Sequence, residues 1–586
     1  MTRWPGLDLP ARRNRLQRSL ALHPGRLTAA IAGALDAVTR AAGGLWTRDA
    51  STFSADPDVQ AKVAQRLGWL DSPGLMADNI ERLRGFAESV RRDGFTDAVL
   101  LGMGGSSLAP EVMRAILGTG PGGLRLHMLD STDPAAVLAV HTPIAHTLYI
   151  LASKSGTTIE PNSLAAFFRQ TLEQAGVSDW ARHFIAITDH GTELAHRARS
   201  DRFREVFINP SDIGGRYSAL SFFGFVPSAL MGQDIAALTG WGLAMLARCE
   251  PTALPADQHP AFALGLTMAV GARHKMDKLT LLVPPNLEPF GLWVEQLVAE
   301  STGKNGVGVV PIASETATAA RRYGHDRVFV RLSIAGEPDP QGDALAAELK
   351  KLQAPFIDID MPEAAALGAE FVRWEVATAV AGAVLGINPF DEPNVSQAKE
   401  ATRVLLGRFK QEGELPLPTP QLTTPDGTRL TLSAAAVRAL ATGRGPDDFL
   451  TVLESGDYFG LLAYLGPDPR LAEILQAFRL AVRDKTGVAT MSGYGPRYLH
   501  STGQLHKGGP NTGVFVLVSA IPRVDLPIPG EAFSFGTLEL AQAIGDFQSL
   551  EATGRRALHV HLPAPDAVPL ESALTLLLGR ITRPTD

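Results

Sequence analysis

The sequence predicts an α/β protein of several domains, each built on a parallel sheet. At 586 residues the chain is too long for one typical hydrophobic core, so we expect two or three domains. From Asp97 onward, short apolar runs bounded by glycine alternate with helical stretches. Strands that alternate with helices are typical of parallel sheets covered on both faces. The first five of these runs are AVLLG, LRLHMLD, TLYILAS, HFIAITD and EVFIN.

The part of the chain before these runs is predicted to be helical. Leu27 to Ala42 is rich in alanine and leucine, and Val59 to Trp69 continues the pattern after a turn that contains proline. We therefore interpret residues 1–90 as a helical N-terminal cap and residues 91–250 as the first α/β domain.

Two breaks divide the remaining chain. The stretch PTALPADQHP at 251–260 precedes a second alternating series, KLTLLVP, VFVRLSI and FIDIDM, which predicts a second α/β domain at residues 251–412. The Pro/Thr-rich stretch GELPLPTPQLTTPDG at 413–427 then opens an α/β C-terminal segment, residues 413–586. Its strands are expected near TVLES, VATMSG, VFVLVS and LHVHL.

Composition excludes several functional classes. The chain has 54 Lys and Arg residues against 61 Asp and Glu, a net charge of −7, and no basic stripe, so nucleic acid is not an expected partner. Cys249 is the only cysteine, which excludes an internal disulfide or a multi-cysteine metal site and suits a reducing compartment. The longest apolar stretch, around Val376 to Ile387, is too short to span a bilayer, and residues 1–17 lack an apolar signal core. We expect a cytoplasmic protein without membrane contact.

A glycine-rich loop follows the first predicted strand. In open parallel sheets, ligands bind at loops beyond the carboxyl ends of the strands. In LGMGGSSLAPE at 101–111, the glycines allow close backbone approach, and Ser106 and Ser107 are candidates to cap the next helix. The loop is not a dinucleotide fingerprint, because Ser107 occupies the place of the last glycine, and it has no Walker GK[ST]. A tight turn with a helix cap is the alternative interpretation.

A second loop, SKSGTTIEP at 153–161, concentrates hydroxyl groups at the end of a predicted strand. Hydroxyl donors together with the backbone N–H groups of a helix start make an anion site, and a phosphate fits this chemistry. One helix cap needs one hydroxyl, whereas this loop offers four within six residues. A simple cap remains the alternative, and Lys154 adds one positive charge. The hydroxyls belong to Ser153, Ser155, Thr157 and Thr158.

Two further stretches place charge where a small ligand could meet it. GGRYSALSFFG at 214–224 puts Arg216 between two glycines and an apolar helix, although an arginine in a loop is usually solvated. GLWVEQLVAE at 291–300 places Glu300 at a helix C-terminus, where the helix dipole disfavours a carboxylate and shielding from water would raise its pKa. An ordinary surface glutamate is the alternative there.

Taken together, GMGGSS, SKSGTT, GGRYSALSFFG and ESTGK, in this order, resemble the phosphoglucose isomerase family, which is built from two sugar-isomerase (SIS) domains. INPFDEPNVSQAKE at 387–400 is similar to the family signature and places Lys399 at its active-site lysine. The resemblance covers roughly residues 95–405. More narrowly, RLGWLDSP, GRYSALS and GYGPRYLHSTGQLHKGGPNTG resemble the isomerase part of bacterial fused transaldolase/glucose-6-phosphate isomerase proteins, without a transaldolase half.

The resemblance implies an aldose–ketose isomerase that interconverts glucose 6-phosphate and fructose 6-phosphate through an enediolate. It assigns proton transfer to Glu300 and stabilisation of the enediolate to Arg216. Isomerisation by a positioned base needs no metal or redox cofactor, and the family likeness implies a homodimer whose sites can draw on both subunits. The expected substrate-binding residues are Gly105, Ser106, Ser153, Lys154, Ser155, Thr157, Thr158 and Gln296.

The ring-opening histidine of the family has no direct counterpart at the matching place in this sequence. Family members carry it between the glutamate and the lysine, but here that interval holds only His325. The later stretch HSTGQLHKGG, with His500 and His506, resembles the histidine loop of the family although it follows Lys399. We therefore predict that the C-terminal segment folds back, with His500 as the catalytic histidine and His506 as a substrate contact.

Two alternative functions remain open at this point. A dual phosphoglucose/phosphomannose isomerase needs the same base and phosphate loop. A phosphosugar sensor without catalytic activity would use the same domains, but it has no use for a carboxylate at the reacting carbons, so Glu300 favours the enzyme.

Overall fold

A computed structural model describes residues 4–251 and 254–581, so residues 252–253 of the predicted break at 251–260 lie outside the described residues. The N-terminal part is mainly helical, as the alanine- and leucine-rich pattern predicts. It also contains a short strand, β1, which the sequence analysis did not predict. The elements are α1 (Leu9–Leu16), β1 (Leu20–His23), α2 (Thr28–Trp46), α3 (Pro57–Ala64) and α4 (Ser72–Arg92).

The first sheet contains five parallel strands in the order β3-β2-β4-β5-β6. All five apolar runs predicted from the sequence form these strands. Its elements are β2 (Asp97–Leu101), α5 (Leu108–Leu117), β3 (Arg125–Leu129), α6 (Pro134–Leu138), β4 (Thr147–Ala152), α7 (Ile159–Gln174), β5 (Phe184–Asp189), α8 (Glu193–Ser200), β6 (Glu205–Asn209), α9 (Phe222–Leu230) and α10 (Ile235–Cys249).

The second sheet has the order β1-β10-β9-β7-β8, in which only β1 runs antiparallel. The predicted runs form β7, β9 and β10, whereas the short β8 was missed. The elements are α11 (Phe262–Arg273), β7 (Lys278–Leu282), α12 (Glu288–Thr302), β8 (Val310–Ile312), β9 (Arg327–Ile334), α13 (Pro340–Lys351), β10 (Phe356–Met361), α14 (Leu367–Leu385) and α15 (Val395–Glu412).

The third sheet has the order β11-β12-β16-β15-β13-β14, with β11 and β12 forming an antiparallel hairpin and β12 antiparallel to β16. The prediction of a strand at TVLES was wrong. These residues form the end of a 3₁₀ helix and the start of the loop after it, and the strand is the apolar run that follows. The elements are β11 (Leu422–Thr423), β12 (Arg429–Leu432), α16 (Ala434–Ala439), β13 (Tyr458–Tyr464), α17 (Pro469–Thr486), β14 (Ala489–Tyr494), α18 (Gly503–Gly508), β15 (Gly513–Ala520), α19 (Phe535–Ala552), β16 (Arg556–Leu562) and α20 (Ala567–Leu578).

Alternating residues of the parallel strands are buried on opposite faces of each sheet. On β4, Leu148 and Ile150 belong to one apolar cluster, while Tyr149 and Leu151 belong to another. This arrangement explains why the strands are continuous apolar runs rather than alternating polar and apolar. The mixed α/β fold with parallel sheets is therefore confirmed; the limits of the domains remain a prediction.

The third sheet region, which comprises residues 422–578, packs directly against the region of the first sheet. Leu405 and Leu406 of α15 share the second of these clusters with Phe535 and Leu538 of α19. The same arrangement brings the segment after β14 close to the carboxyl end of β2, where Gly104 lies against the backbone of His500.

Candidate functional site

Ten of the thirteen predicted site residues converge on one cleft of about 1020 Å³, called here the catalytic cleft. Strands β2, β4, β5 and β6 are parallel neighbours, so the loops that follow them meet at the same sheet edge. The wall of this cleft contains Gly105, Ser106, Lys154, Ser155, Thr158, Arg216, Gln296, Glu300, Lys399 and His500. The N-terminal segment adds Lys62 and Arg66, so the predicted cap takes part in the cleft wall.

In the hydroxyl-rich loop, one hydroxyl group bonds within the loop and the other three line open pockets. Ser153 is buried, accepts a hydrogen bond from the N–H of Gly156 at 3.1 Å and donates to Thr158 Oγ1 at 3.1 Å. Ser155 and Thr158 line the catalytic cleft, whereas Thr157 lines an adjoining pocket of about 460 Å³ that also contains Lys399 and His500. Ser153 therefore supports the loop rather than facing a ligand, and the other three hydroxyls remain candidates for the phosphate.

Within the same loop, the side chain of Lys154 is held by two partners. Its Nζ pairs with Asp189 and donates to the carbonyl of Ser211 at 2.9 Å. Burial raises the pKa of Asp189 above its ordinary value, although the lysine opposes this effect. The positive charge of Lys154 thus stands at the rim of the cleft in a fixed position.

The glycine-serine loop after β2 lies against the loop that carries Arg216. A Cβ added to Gly105 would be 2.1 Å from the carbonyl oxygen of Gly215, so no side chain fits at this position. The prediction that a serine side chain caps helix α5 was wrong. Ser107 makes no capping bond and donates instead to Asp130 Oδ2 at 2.9 Å. The close packing places Ser106 and Arg216 in the same wall.

Arg216 is buried and fully engaged in the structure. Its Nε donates to Ser301 Oγ at 2.9 Å, and its Nη2 donates to the carbonyls of Pro389 and Asp391 at 2.8 and 2.7 Å. Its Nη1 lies 3.0 Å from Glu392 Oε2 and 3.4 Å from Glu300 Oε1. A guanidinium between two carboxylates must release one of them before it can donate to a bound oxyanion.

Glu300 lies in the last turn of α12, as the sequence predicts, and is almost wholly buried. Burial raises the pKa of Glu300 above its ordinary value against the lowering effect of Arg216, and the nearby Glu392 raises it further. Gln296, one turn earlier, donates to Glu300 Oε2 at 3.3 Å. A carboxylate with a raised pKa, in a cleft and beside a cation, is suited to accept a proton.

His500 reaches the cleft from the third sheet region. Its Nε2 lies 2.9 Å from Glu160 Oε1, and Gln542 Nε2 donates to the same oxygen at 2.8 Å. Burial opposes ionisation of Glu160, but His500 and Lys399 hold its pKa below the ordinary value. A histidine oriented by a buried carboxylate has the arrangement of a proton shuttle.

The other two histidines lie elsewhere. His506 is buried among Tyr458, Tyr498 and Phe515, and neither of its ring nitrogens has a partner within the described part of the chain. Its burial overturns the predicted substrate contact. His325 lies outside the catalytic cleft, where its Nδ1 is 3.0 Å from Arg26 Nη1. Of the three candidates, only His500 lies in the same cleft as the predicted base.

Three groups of this site were not predicted from the sequence. Glu160 lies in the quoted stretch SKSGTTIEP, just after its four hydroxyl residues, and a charged residue in a buried helix start was the available signal. Glu392 lies in the quoted stretch INPFDEP and pairs with Arg216. Lys304, in ESTGK, is buried and donates to the carbonyl of Asn388 at 2.6 Å and to Asp391 Oδ1 at 2.7 Å; burial and Arg216 lower its pKa to about 8.

Comparison with known proteins bears on the family of this chain. The phosphoglucose isomerase family model matches residues 75–325. A glucose-6-phosphate isomerase from Rubrobacter xylanophilus is 30% identical over 426 residues, which are 62% of this chain and 95% of that protein. The chain belongs to the phosphoglucose isomerase family. A probable glucose-6-phosphate isomerase from Natronomonas pharaonis is 31% identical over 349 residues, 53% of this chain and 79% of that protein.

The family assignment made from the sequence is thereby confirmed. The crystal structure of a hypothetical protein from Thermus thermophilus shares the fold, with a TM-score of 0.56 and 24% identity over 66% of this chain and 99% of that one. The segment matched by the phosphoglucose isomerase family model contains the hydroxyl-rich loop, Arg216 and Glu300, but ends before Lys399 and His500. Within residues 4–251 and 254–581, no helix is both long and apolar enough to cross a membrane.

Proposed function

We propose that the protein is a glucose-6-phosphate isomerase, which interconverts glucose 6-phosphate and fructose 6-phosphate through a cis-enediol(ate). Membership of the phosphoglucose isomerase family supports this function. One observation carries it furthest: a buried carboxylate, Glu300, lies 3.4 Å from Arg216 in the same cleft as the hydroxyl-rich loop. A base beside a cation is what proton transfer next to a carbonyl requires.

The phosphate is the handle that orients the sugar. Ser155 and Thr158, with the first backbone N–H groups of α7, would hold the 6-phosphate, and Lys154 stands at the same rim. Binding energy from this remote group fixes the reacting carbons against Glu300. Gly105 and Ser106 line the sugar side of the cleft, and Gln296 holds Glu300 in place.

Ring opening would use His500. The O–H at C1 of the pyranose loses its proton to the imidazole while the ring oxygen gains one, which breaks the C1–O5 bond and frees the C1 aldehyde. Glu160 orients the imidazole through Nε2, which leaves Nδ1 for the substrate. Lys399 adds positive charge near both groups.

Isomerisation would follow on the open chain. Glu300 removes the proton from C2, the C1 carbonyl oxygen becomes the enediolate oxygen, and Arg216 donates to it. Return of the proton to C1 and transfer of the C2 hydroxyl proton to the enediolate oxygen complete the ketose. No electrons leave the substrate, so the step balances without an oxidant. A positioned general base accounts for about 10²- to 10⁴-fold of the rate.

The test is a coupled assay of the purified protein with fructose 6-phosphate in the presence of a chelator, with Glu300→Gln as the inactive control. We expect glucose 6-phosphate to form with the wild type, and turnover to fall by at least about 10²-fold in the variant, since an amide cannot accept the proton. Retained turnover in Glu300→Gln would contradict the proposal. The same assay with mannose 6-phosphate distinguishes a dual isomerase, and binding without turnover by the wild type would indicate a sensor.

Three narrower expectations stay predictions. They are the homodimer, the cytoplasmic location, and the closeness to the isomerase part of fused transaldolase proteins.

A further inference from the structure

The loop that carries His500 is built into the junction between the first and second sheets. We call residues 495–509 the histidine loop. A Cβ added to Gly104 would be 2.6 Å from the carbonyl oxygen of His500, and one added to Gly303 would be 2.4 Å from Leu505 Cα. Both glycines belong to motifs of the phosphoglucose isomerase-like region. Their lack of side chains leaves the space that the histidine loop occupies.

Hydrogen bonds fix the histidine loop in this position. Gln504 is fully buried, and its Nε2 donates to the carbonyl of Gly303 at 3.0 Å and to Asn394 Oδ1 at 2.8 Å. In return, the N–H of Asn394 donates to Gln504 Oε1 at 2.8 Å. Gln296, the neighbour of the base, donates to the carbonyl of His500 at 2.7 Å. The position of His500 is thus coupled directly to the helix that carries Glu300.

Buried contacts fix the rest of the third sheet region to the same neighbours. Within the third sheet region, Lys507 of the histidine loop and Asp546 of α19 form an ion pair at 2.6 Å with both side chains buried. Between the third and second sheet regions, Arg479 Nη2 donates to the carbonyl of Ala313 at 2.8 Å, and the N–H of Thr490 donates to Glu315 Oε1 at 2.9 Å. Buried, satisfied polar contacts of this kind specify one arrangement of the parts.

We propose that the C-terminal segment is a resident part of the active site, which supplies His500 in cis, so that a single chain is a complete catalytic unit. This inference rests on the proposed function. The space beside Glu300 and Glu160 is already filled by the chain's own histidine loop, and a second copy of the chain would have to dock elsewhere. Gln504 is then a positioning residue, which acts through His500.

The first test is complementation between two defective chains. Glu300→Gln and His500→Ala are produced separately and also co-expressed with different affinity tags, and complexes that carry both tags are assayed with fructose 6-phosphate. If each site draws on one chain, the mixture has no more activity than the sum of the separate variants. If His500 crosses between subunits, one of the two sites in each mixed dimer regains both groups, and the doubly tagged complexes return about half of wild-type activity.

The outcomes separate the two proposals. Recovery in the mixture would overturn the inference while leaving the proposed function intact. Wild-type activity of His500→Ala alone would also overturn the inference, because the segment would then supply no needed group. Wild-type activity of Glu300→Gln alone would instead overturn the proposed function. Because the inference needs no second chain, specific activity should also stay constant on dilution through any dissociation seen by analytical ultracentrifugation.

The second test concerns Gln504. Gln504→Ala should slow the reaction of cyclic glucose 6-phosphate but spare enolisation of an acyclic phosphosugar, in the same ratio as His500→Ala. Gln476→Ala is the matched control. Gln476 Nε2 also donates from the third sheet region to the second, to the carbonyl of Ser314 at 3.3 Å, but Gln476 lies outside the histidine loop. It should leave the ratio of the two rates unchanged. Equal effects of the two variants on that ratio would reduce Gln504 to a structural contact.

Discussion

His500 and Glu160 are 340 positions apart in the chain, yet His500 Nε2 lies 2.9 Å from Glu160 Oε1. The glutamate comes from the start of α7 behind the hydroxyl-rich loop, and the histidine comes from the third sheet region. Their contact joins the phosphate end of the catalytic cleft to the proposed ring-opening end. In the proposed ring opening, the other ring nitrogen of His500 takes the proton.

Replacing Glu160 should therefore impair ring opening selectively. In Glu160→Gln the imidazole loses its anionic partner, and we expect turnover of cyclic glucose 6-phosphate to fall by about tenfold or more. Enolisation of an acyclic phosphosugar should change little. Glu173→Gln, an exposed position on the same helix, is the control. Equal losses on both substrates would mean that Glu160 only stabilises the fold.

Removing the two hydroxyls that face the catalytic cleft should weaken binding of the phosphate. Each lost donor to an anion costs about 1.5 to 3 kcal/mol, so Ser155→Ala/Thr158→Ala should raise the Kd for fructose 6-phosphate by well over tenfold. The Kd is best measured by calorimetry in the Glu300→Gln background, where no turnover is expected. Thr157→Ala, which faces the adjoining pocket, should have a smaller effect. Unchanged binding in the double variant would leave the loop as a helix cap alone.

The pH dependence of activity should reveal the coupling between Glu300 and Glu392. Since Glu300 must be deprotonated to act as a base, kcat/KM falls as pH drops through its pKa, which lies above the ordinary glutamate value. Glu392 raises that pKa, so Glu392→Gln should move the acidic limb to lower pH. The exposed Glu412→Gln on α15 should leave the limb in place. A limb that stays or moves to higher pH in Glu392→Gln would contradict the coupling.

Buried histidines should make the fold sensitive to acid. Burial lowers the pKa of His559 to about 3, of His561 and His259 to about 4, and of His506 well below its ordinary value. The unfolded chain therefore binds more protons below about pH 6.5, and each histidine removes about 1.4 kcal/mol of unfolding free energy per pH unit until its folded pKa is reached. Denaturant unfolding at about pH 7 and about pH 5 measures this loss.

His506 offers the sharpest form of that experiment. Since neither ring nitrogen has a partner among residues 4–251 and 254–581, His506→Leu loses no such bond and should flatten the decline in stability between about pH 7 and about pH 5. The exposed His196→Leu on α8 serves as the matched control and should leave the slope unchanged. The same slope in His506→Leu and the wild type would show that His506 is not titrating in this range.

Sequence pattern alone was enough to predict the parallel strands of the first sheet, the hydroxyl-rich loop after β4, and the helix that ends near Glu300. These features follow from local chemistry: apolar runs bounded by glycine, several hydroxyls beside a helix start, and a carboxylate in the last turn of a helix. The family resemblance then assigned roles to Arg216 and Glu300, and the structure brings these two side chains within 3.4 Å.

Three-dimensional packing was needed to show that His506 does not reach the cleft, that Ser153 is turned inward, and that Glu160 and Glu392 are part of the site. The edge strand β1 also could not be predicted from the sequence, because its partner β10 lies far along the chain, with Leu20 opposite Ile359. The same reason applies to all of them. Local sequence pattern fixes the period and the ends of an element, whereas the partner of a side chain depends on how distant elements pack. For that reason the sequence placed both His500 and His506 in the site, although His500 faces a cleft and His506 a core.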